Sequence, residues 1–400
     1  MTTPSHVRIF ILCVVCMIMD GFDVQALGYV APALIREWNV APAMLGPVFG
    51  AANFGVLLGQ LSFTMLADKI GRRPVLVFGT LFFALATLVT ARVGTMSELL
   101  AIRFVAGLGM GSIIPNATAL VGEFSPPRLR IASMTWLSIG FTAGAALGGF
   151  VAAWLIPGFG WRSVFYVGGS VPLVISVVMF VWLHESPEFV ANREARPGLP
   201  AIHLFRDGRA TATLLLWVVN FMNLFNLFSL ANWLPTVVSR AGYATSTAVL
   251  VGTILQVGGT ISPFILTWVI LRRGFVPALT VAFMIATVSV AMIGSPGLSL
   301  APLMVVVFIA GATIVGSQPS LNAMAGSFYP TYLRSTGVGW ALGIGRAGSI
   351  VGPVLAGQFI ALKWTTQDIF LALAIPAFVS TVAMFSLRRS MRDLTSIAPS

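Results

Sequence analysis

Charge is scarce in this sequence. Asp, Glu, Lys and Arg make up 9% of its 400 residues, against about a quarter in an ordinary soluble domain. A chain so poor in charge cannot clothe a water-facing surface, which excludes a soluble globular fold. Cysteine is nearly absent: Cys13 and Cys16 lie within one apolar run, too few for a disulfide framework and too apolar in setting for a zinc site. They read as packing residues. Histidine occurs only as His6, His184 and His203, all outside the apolar runs. There is no nucleotide-binding loop, no metal-ligating cluster and no Ser/His/Asp set that could meet. Catalysis, a metal and a cofactor are therefore not expected.

Apolar residues are abundant at 57%, and they come in continuous runs. Spans are predicted near 9–34, 44–66, 74–92, 97–121, 131–155, 163–183, 210–238, 246–270, 276–293, 299–326, 335–360 and 366–387, each supplying the ~20 residues a membrane helix needs. A β-barrel would instead alternate over ~10-residue strands. The fold class predicted is an all-α polytopic membrane protein with twelve transmembrane helices. The opening stretch, with Arg8 before an apolar run and Ala31-Pro32-Ala33 after it, imitates a signal peptide. Two carboxylates interrupt that run and eleven more spans follow, so retention of the first helix is expected.

The net charge of +11 invites a nucleic-acid reading. Placing the N-terminus in the cytoplasm puts sixteen of the 23 Lys and Arg residues on that side and five outside, with Arg103 and Arg346 inside spans. That bias is the positive-inside rule with both termini cytoplasmic, and it accounts for the basic balance without nucleic acid.

Sliding the chain on itself by 204 residues aligns Pro115 with Pro319, Ala119 with Ala323, Phe124 with Phe328, Pro126 with Pro330 and Arg130 with Arg334, then Gly144 with Gly348 and Gly148 with Gly352. Two parallel six-helix repeats are implied. The domains expected are an N-terminal bundle over 1–183, a cytoplasmic linker over 184–209 and a C-terminal bundle over 210–400. Such a plan suits a transporter that moves one half against the other.

Ala67-Asp68-Lys69-Ile70-Gly71-Arg72-Arg73-Pro74, and Arg103 followed by Gly107 and Gly111, resemble signatures of the major facilitator superfamily. Within it, Asp20-Gly21-Phe22-Asp23, Asn232-Trp233-Leu234-Pro235, Glu185-Ser186-Pro187-Glu188-Phe189 and the run from Phe328 to Arg346 resemble the aromatic acid:proton symporters, over nearly the whole chain. The resemblance implies a symporter for a benzoate- or hydroxybenzoate-like monocarboxylate in a bacterial inner membrane, with a small organic anion, protons and the lipid bilayer as its partners, working as a monomer. It also implies a gate at Asp68, Arg72, Arg73, Arg130 and Arg334. Positive-inside anchoring is the plainer reading of the arginines, and Asp68 is the part it does not explain. The equivalent loop of the second half has Leu271 where an acid would stand, so any latch is one-sided.

Asp20 and Asp23 are the only acids well inside a span. A charge at the bilayer centre costs at least ~2.5–3.5 kcal/mol, so it is retained where a cavity or a partner compensates. Three positions apart, the two share one helical face. Two carboxylates that close in a low dielectric cannot both ionise cheaply, which predisposes one to carry a proton. A polar patch that bends the helix at Gly21 is the structural alternative. Arg346, twelve residues beyond Arg334 and so ~18 Å up its helix, offers a planar fork that suits a substrate carboxylate or an ion pair with an aspartate. Arg103 admits both roles. Asn223 and Asn226, on one stripe with Asn220, and Asn116 and Asn322 in the proline-containing spans are the polar candidates for a substrate ring's substituents. Rival readings are a symporter of nicotinate, a dicarboxylate or a sugar acid, and a non-transporting sensor of aromatic acids.

Overall fold

The computed structural model describes residues 4–126, 128–185, 201–206, 208–329 and 333–397. The side chains at 4–6, 130, 131, 201, 334, 335 and 388–397 also fall outside what is described. Among the described residues there is no strand, and the helices are α1 (Pro4–Trp38), α2 (Leu45–Ile70), α3 (Arg72–Thr90), α4 (Met96–Met110), α5 (Ile113–Phe124), α6 (Arg130–Phe159) and α7 (Arg162–Trp182), followed by α8 (Ala210–Arg240), α9 (Thr245–Arg273), α10 (Phe275–Ile293), α11 (Leu300–Ile314), α12 (Gln318–Phe328), α13 (Arg334–Ala361) and α14 (Thr366–Ile397). Eleven spans among the described residues are long and apolar enough to cross a membrane, and α1, with 35 residues, is the remaining helix of the predicted twelve. Most of the predicted linker, 186–200, lies outside the described residues.

The fourth span of each half is not the single helix predicted. α4 gives way to α5 at Gly111 and Ser112, and α11 gives way to α12 at Val315 to Ser317. The cause is the same in both. Pro115 and Pro319 have no N–H to return to the carbonyl four residues back, at Gly111 and Val315, so each helix opens there. Local substitutes fill in: Ser112 Oγ donates to the Gly109 carbonyl at 2.7 Å and Ser317 Oγ to the Thr313 carbonyl at 2.6 Å.

The chain forms two compact units. One comprises Met1–Arg196 with Val238–Thr253, and the other Pro197–Val237 with Ile254–Ser400. In the first, α1 packs on α6, α2 on α4, and α3 on α7. The second repeats that scheme with α8 on α13, α9 on α11, and α10 on α14.

Glycine makes these crossings close. A methyl at Gly144 would overlap the Ile18 backbone, and one at Gly21 the Phe141 carbonyl, which fixes α1 against α6. In the second unit Gly348 and Gly352 meet the Phe221 and Phe225 carbonyls, and Gly311 meets that of Leu255. Membrane helices gain little by hiding apolar surface from lipid, so such backbone-to-backbone approach carries their association. Trp233 adds a pin, donating from its indole N–H to the Pro353 carbonyl at 2.8 Å and joining α8 to α13.

Candidate functional site

Each residue of Asp20-Gly21-Phe22-Asp23 has its own surroundings in the first unit. Gly21 lets α1 touch α6, and the Phe22 ring lies against Gly148 of α6 and Gly168 of α7, where side chains would exclude it. Asp23 is fully buried, and its partner is Arg103 of α4. The guanidinium donates to Asp23 Oδ2 at 2.7 Å and to Oδ1 at 3.3 Å, with a longer contact to the Asp23 carbonyl. Thr87 of α3 donates to Oδ1 at 3.1 Å. The Arg103 guanidinium also lies 5.6 Å from the centre of the Phe165 ring of α7, within the range of a cation–π attraction. Three helices thus converge on the Asp23 carboxylate. Asp20 is buried one turn earlier on α1. Cys13 and Cys16 are buried on the same helix, Cys16 beside the Thr80 hydroxyl at 3.4 Å. Asn116, also buried, donates its amide to the Ser112 carbonyl of its own helix at 2.7 Å, at the break between α4 and α5.

In the second unit a chain of side-chain amides joins α8 to α12. Asn223 donates to Gln318 Oε1 at 2.8 Å and to the Ile314 carbonyl at 3.2 Å. Gln318 in turn donates to Asn322 Oδ1 at 3.0 Å and, at 3.4 Å, to Asn220 Oδ1. Asn223 and Asn226 are buried, and among the described residues their Oδ1 atoms have no hydrogen-bond donor. A buried acceptor in that condition costs free energy, which a ligand hydroxyl or a water could recover. Gln318 and Asn322 are half-buried. Arg346 is half-buried on α13, beside the crossing where Gly345 lies close to Asn220 of α8.

Sequence reasoning missed Gln318, the centre of this chain, and Thr87. Gln318 carried a signal, being an amide next to Pro319 inside a predicted membrane span. Thr87 carried none, since a threonine on an apolar helix most often bonds its own backbone.

The gating set divides. Asp68 is exposed near the end of α2. Arg72 forms an ion pair with Glu123 of α5. The Glu185 carboxylate accepts from the backbone N–H groups of Arg72 and Arg73 at 3.0 and 3.2 Å, satisfying the open start of α3 and complementing its dipole. Arg73 extends to the Phe180 carbonyl at 2.7 Å. Arg130 and Arg334 open α6 and α13, and their side chains lie outside the described part of the structure.

The model of the Major Facilitator Superfamily matches residues 13–353. The 4-hydroxybenzoate transporter PcaK of Pseudomonas aeruginosa is 36% identical over 413 residues, covering 96% of this chain and 92% of that protein. The 3-(3-hydroxy-phenyl)propionate transporter of Escherichia coli is 35% identical, covering 95% of this chain and 94% of that protein. Among solved structures, a bacterial homologue of the human lysosomal transporter Spinster is similar with a TM-score of 0.78 at 16% identity, covering 98% of this chain and 99% of the other. That likeness is one of fold.

Proposed function

The chain belongs to the Major Facilitator Superfamily, a membrane transporter and not an enzyme, and from that premise we propose that it imports an aromatic monocarboxylate together with a proton, by alternating access. The observation that carries the proposal is the buried Asp23–Arg103 pair with Asp20 one turn away. Protonating Asp23 neutralises the counter-charge of Arg103 and leaves a guanidinium in low dielectric, a costly state unless an anion compensates. A proton and a monocarboxylate entering together leave the buried net charge unchanged. Either one alone does not.

Asp20 and Asp23 serve as the proton-carrying pair, and Arg103 senses the protonation state of its partner. Arg346 supplies the fork for the substrate carboxylate. Asn223, Asn226, Asn116 and Asn322 supply polar groups for the ring. The relatives support the substrate class: 4-hydroxybenzoate and 3-(3-hydroxyphenyl)propionate each combine one carboxylate, one ring and one phenolic hydroxyl. A phenol is the kind of donor that the Asn223 and Asn226 oxygens lack. Asp68, Arg72, Arg73, Arg130 and Arg334 form the gate. The position assigned is a bacterial inner membrane with both termini in the cytoplasm, and the protein acts as a monomer.

The test is uptake of labelled 4-hydroxybenzoate into proteoliposomes with and without an imposed pH gradient, alongside aliphatic acids and nicotinate. Accumulation driven by the gradient and confined to aromatic monocarboxylates is expected. Equal accumulation without a gradient rejects proton coupling, and preference for an aliphatic acid rejects the substrate class. In Asp20→Asn, exchange of labelled for unlabelled substrate should persist while gradient-driven accumulation is lost.

A further inference from the structure

The second-half counterpart of the Asp68 loop has no part in the proposed transport cycle. Leu271-Arg272-Arg273-Gly274 stands where the first half has Asp68-Lys69-Ile70-Gly71, and the two loops differ in what surrounds their arginines. In the first unit Arg72 is paired with Glu123 and Arg73 is bonded to the Phe180 carbonyl. In the second, Arg272 and Arg273 have no ion pair among the described residues, and the sequence contains no Asp or Glu between Asp207 and Asp368. Leu271, in the place of the acid, is 82% exposed.

We propose that Arg272 and Arg273, with the groove that begins at Arg273, form a binding site for an anionic phospholipid. One acyl chain lies in the groove and the phosphate meets the two guanidinium groups. The groove has a volume of about 490 Å³ and runs between α9, α10 and α11, from Ser262 and Thr313 at one end past Ile265, Val281 and Ile285 to Arg273. Its polar walls are already satisfied. Ser262 Oγ donates to the Ala312 carbonyl, and Thr313 Oγ1 to those of Ile309 and Ala310, so the channel presents hydrocarbon to its occupant.

The dimensions suit a lipid tail. From Ser262 to Arg273 is eleven residues, about 16 Å along a helix, which is one leaflet of a hydrocarbon core ~30 Å thick. The arginines therefore stand at headgroup level when the groove lies in the leaflet. Trp268 is exposed on the same helix and Arg272 stacks 4.0 Å over its ring, the combination of amphipathic ring and cation found at membrane interfaces. Two cations with no ion-pair partner among the described residues select a negatively charged headgroup over a zwitterionic one.

The experiment reads bound lipid. The full chain is equilibrated in detergent with equal amounts of phosphatidylglycerol and phosphatidylethanolamine of matched acyl chains, and retained lipid is counted by native mass spectrometry. Enrichment of phosphatidylglycerol by roughly fivefold per arginine, about 25-fold in all, is expected. It should fall to near parity in R272Q/R273Q and persist in R272K/R273K, whose charge is intact. V281W, which narrows the groove, should lower total retention with both arginines in place. Millimolar inorganic phosphate should not displace the lipid, because it lacks the chain. Equal retention of the two lipids by the unaltered protein, undiminished enrichment in R272Q/R273Q, or displacement by free phosphate would each overturn the proposal.

Discussion

Arg103 holds Asp23 by both carboxylate oxygens, at 2.7 and 3.3 Å, and neither side chain is more than 2% exposed. The pair joins α4 to α1 across eighty residues of sequence, and Thr87 brings α3 to the same oxygen. Removing one member of such a pair costs about 3–5 kcal/mol, because the other charge is left buried and unmatched. Asp23→Asn should therefore lower thermal stability in detergent and abolish gradient-driven accumulation. Asp23→Asn combined with Arg103→Gln should recover most of the stability without recovering transport. Full stability in Asp23→Asn alone would show that the pair does not brace these helices.

Two glycines on α13 separate packing from propensity. Gly348 lies against the Phe221 carbonyl, whereas nothing stands within 4 Å of a methyl at Gly343. Gly348→Ala should destabilise by about 1–3 kcal/mol through overpacking. Gly343→Ala should be neutral or stabilise by about 0.5–1 kcal/mol, since alanine is the better helix former. Thermal unfolding of the two variants side by side is the measurement, and equal shifts would contradict the close α8–α13 approach.

The twelve spans and their repeat could be read from composition, because the membrane demands length and apolarity in every helix and the offset of 204 residues preserved Pro115 with Pro319 and Gly144 with Gly348. Asp20, Asp23, Arg103 and Arg346 stood out for the same reason: charge is rare where it is expensive. Pairing was another matter. Sequence leaned toward Arg103 as the partner of the aspartates and Arg346 as that of the substrate, but left an ion pair open to both, since nothing along the chain says which helix face meets which. The partner became visible only when the α1–α6 and α2–α4 crossings had turned Asp23 and Arg103 toward each other. Gln318 stayed hidden because a single amide at a helix break reads as a cap until α8 brings Asn223 to it.

Gln318 is the next point of test. It accepts from Asn223 and donates to Asn322, so its amide fixes which way both neighbours present their oxygens. Gln318→Ala should raise KM for a hydroxybenzoate by about tenfold, the worth of one well-placed hydrogen bond, and should raise that for benzoate less. Equal effects on the two substrates would mean that the amide chain supports the helix break alone and does not read the ring hydroxyl.

Asp68 is exposed while its neighbours Arg72 and Arg73 are engaged by Glu123, Glu185 and the Phe180 carbonyl. A carboxylate that acts by meeting another helix at one stage of a cycle should matter to rate more than to affinity. Asp68→Asn should lower the turnover of gradient-driven uptake several-fold with little change in substrate dissociation constant, measured by equilibrium binding in detergent. Weakened binding at an unchanged rate would place Asp68 with the substrate instead of the gate.

Arg346 differs from Arg103 in being half-buried, where Arg103 is sealed around Asp23. Its helix is held by close contacts of Gly345 with Leu224 and of Gly348 with the Phe221 carbonyl. A fork in such a place can bind a carboxylate through two parallel N–H bonds, whereas an ammonium offers charge without that geometry. Arg346→Lys should therefore preserve folding and weaken apparent affinity for 4-hydroxybenzoate by about ten- to a hundredfold, the value of one charge-assisted hydrogen bond. Arg346→Gln should lose binding altogether. The measurement is substrate-dependent thermal stabilisation together with uptake kinetics in proteoliposomes. An unchanged affinity in Arg346→Lys would assign this residue to the structure of the second unit and leave the carboxylate to be met elsewhere.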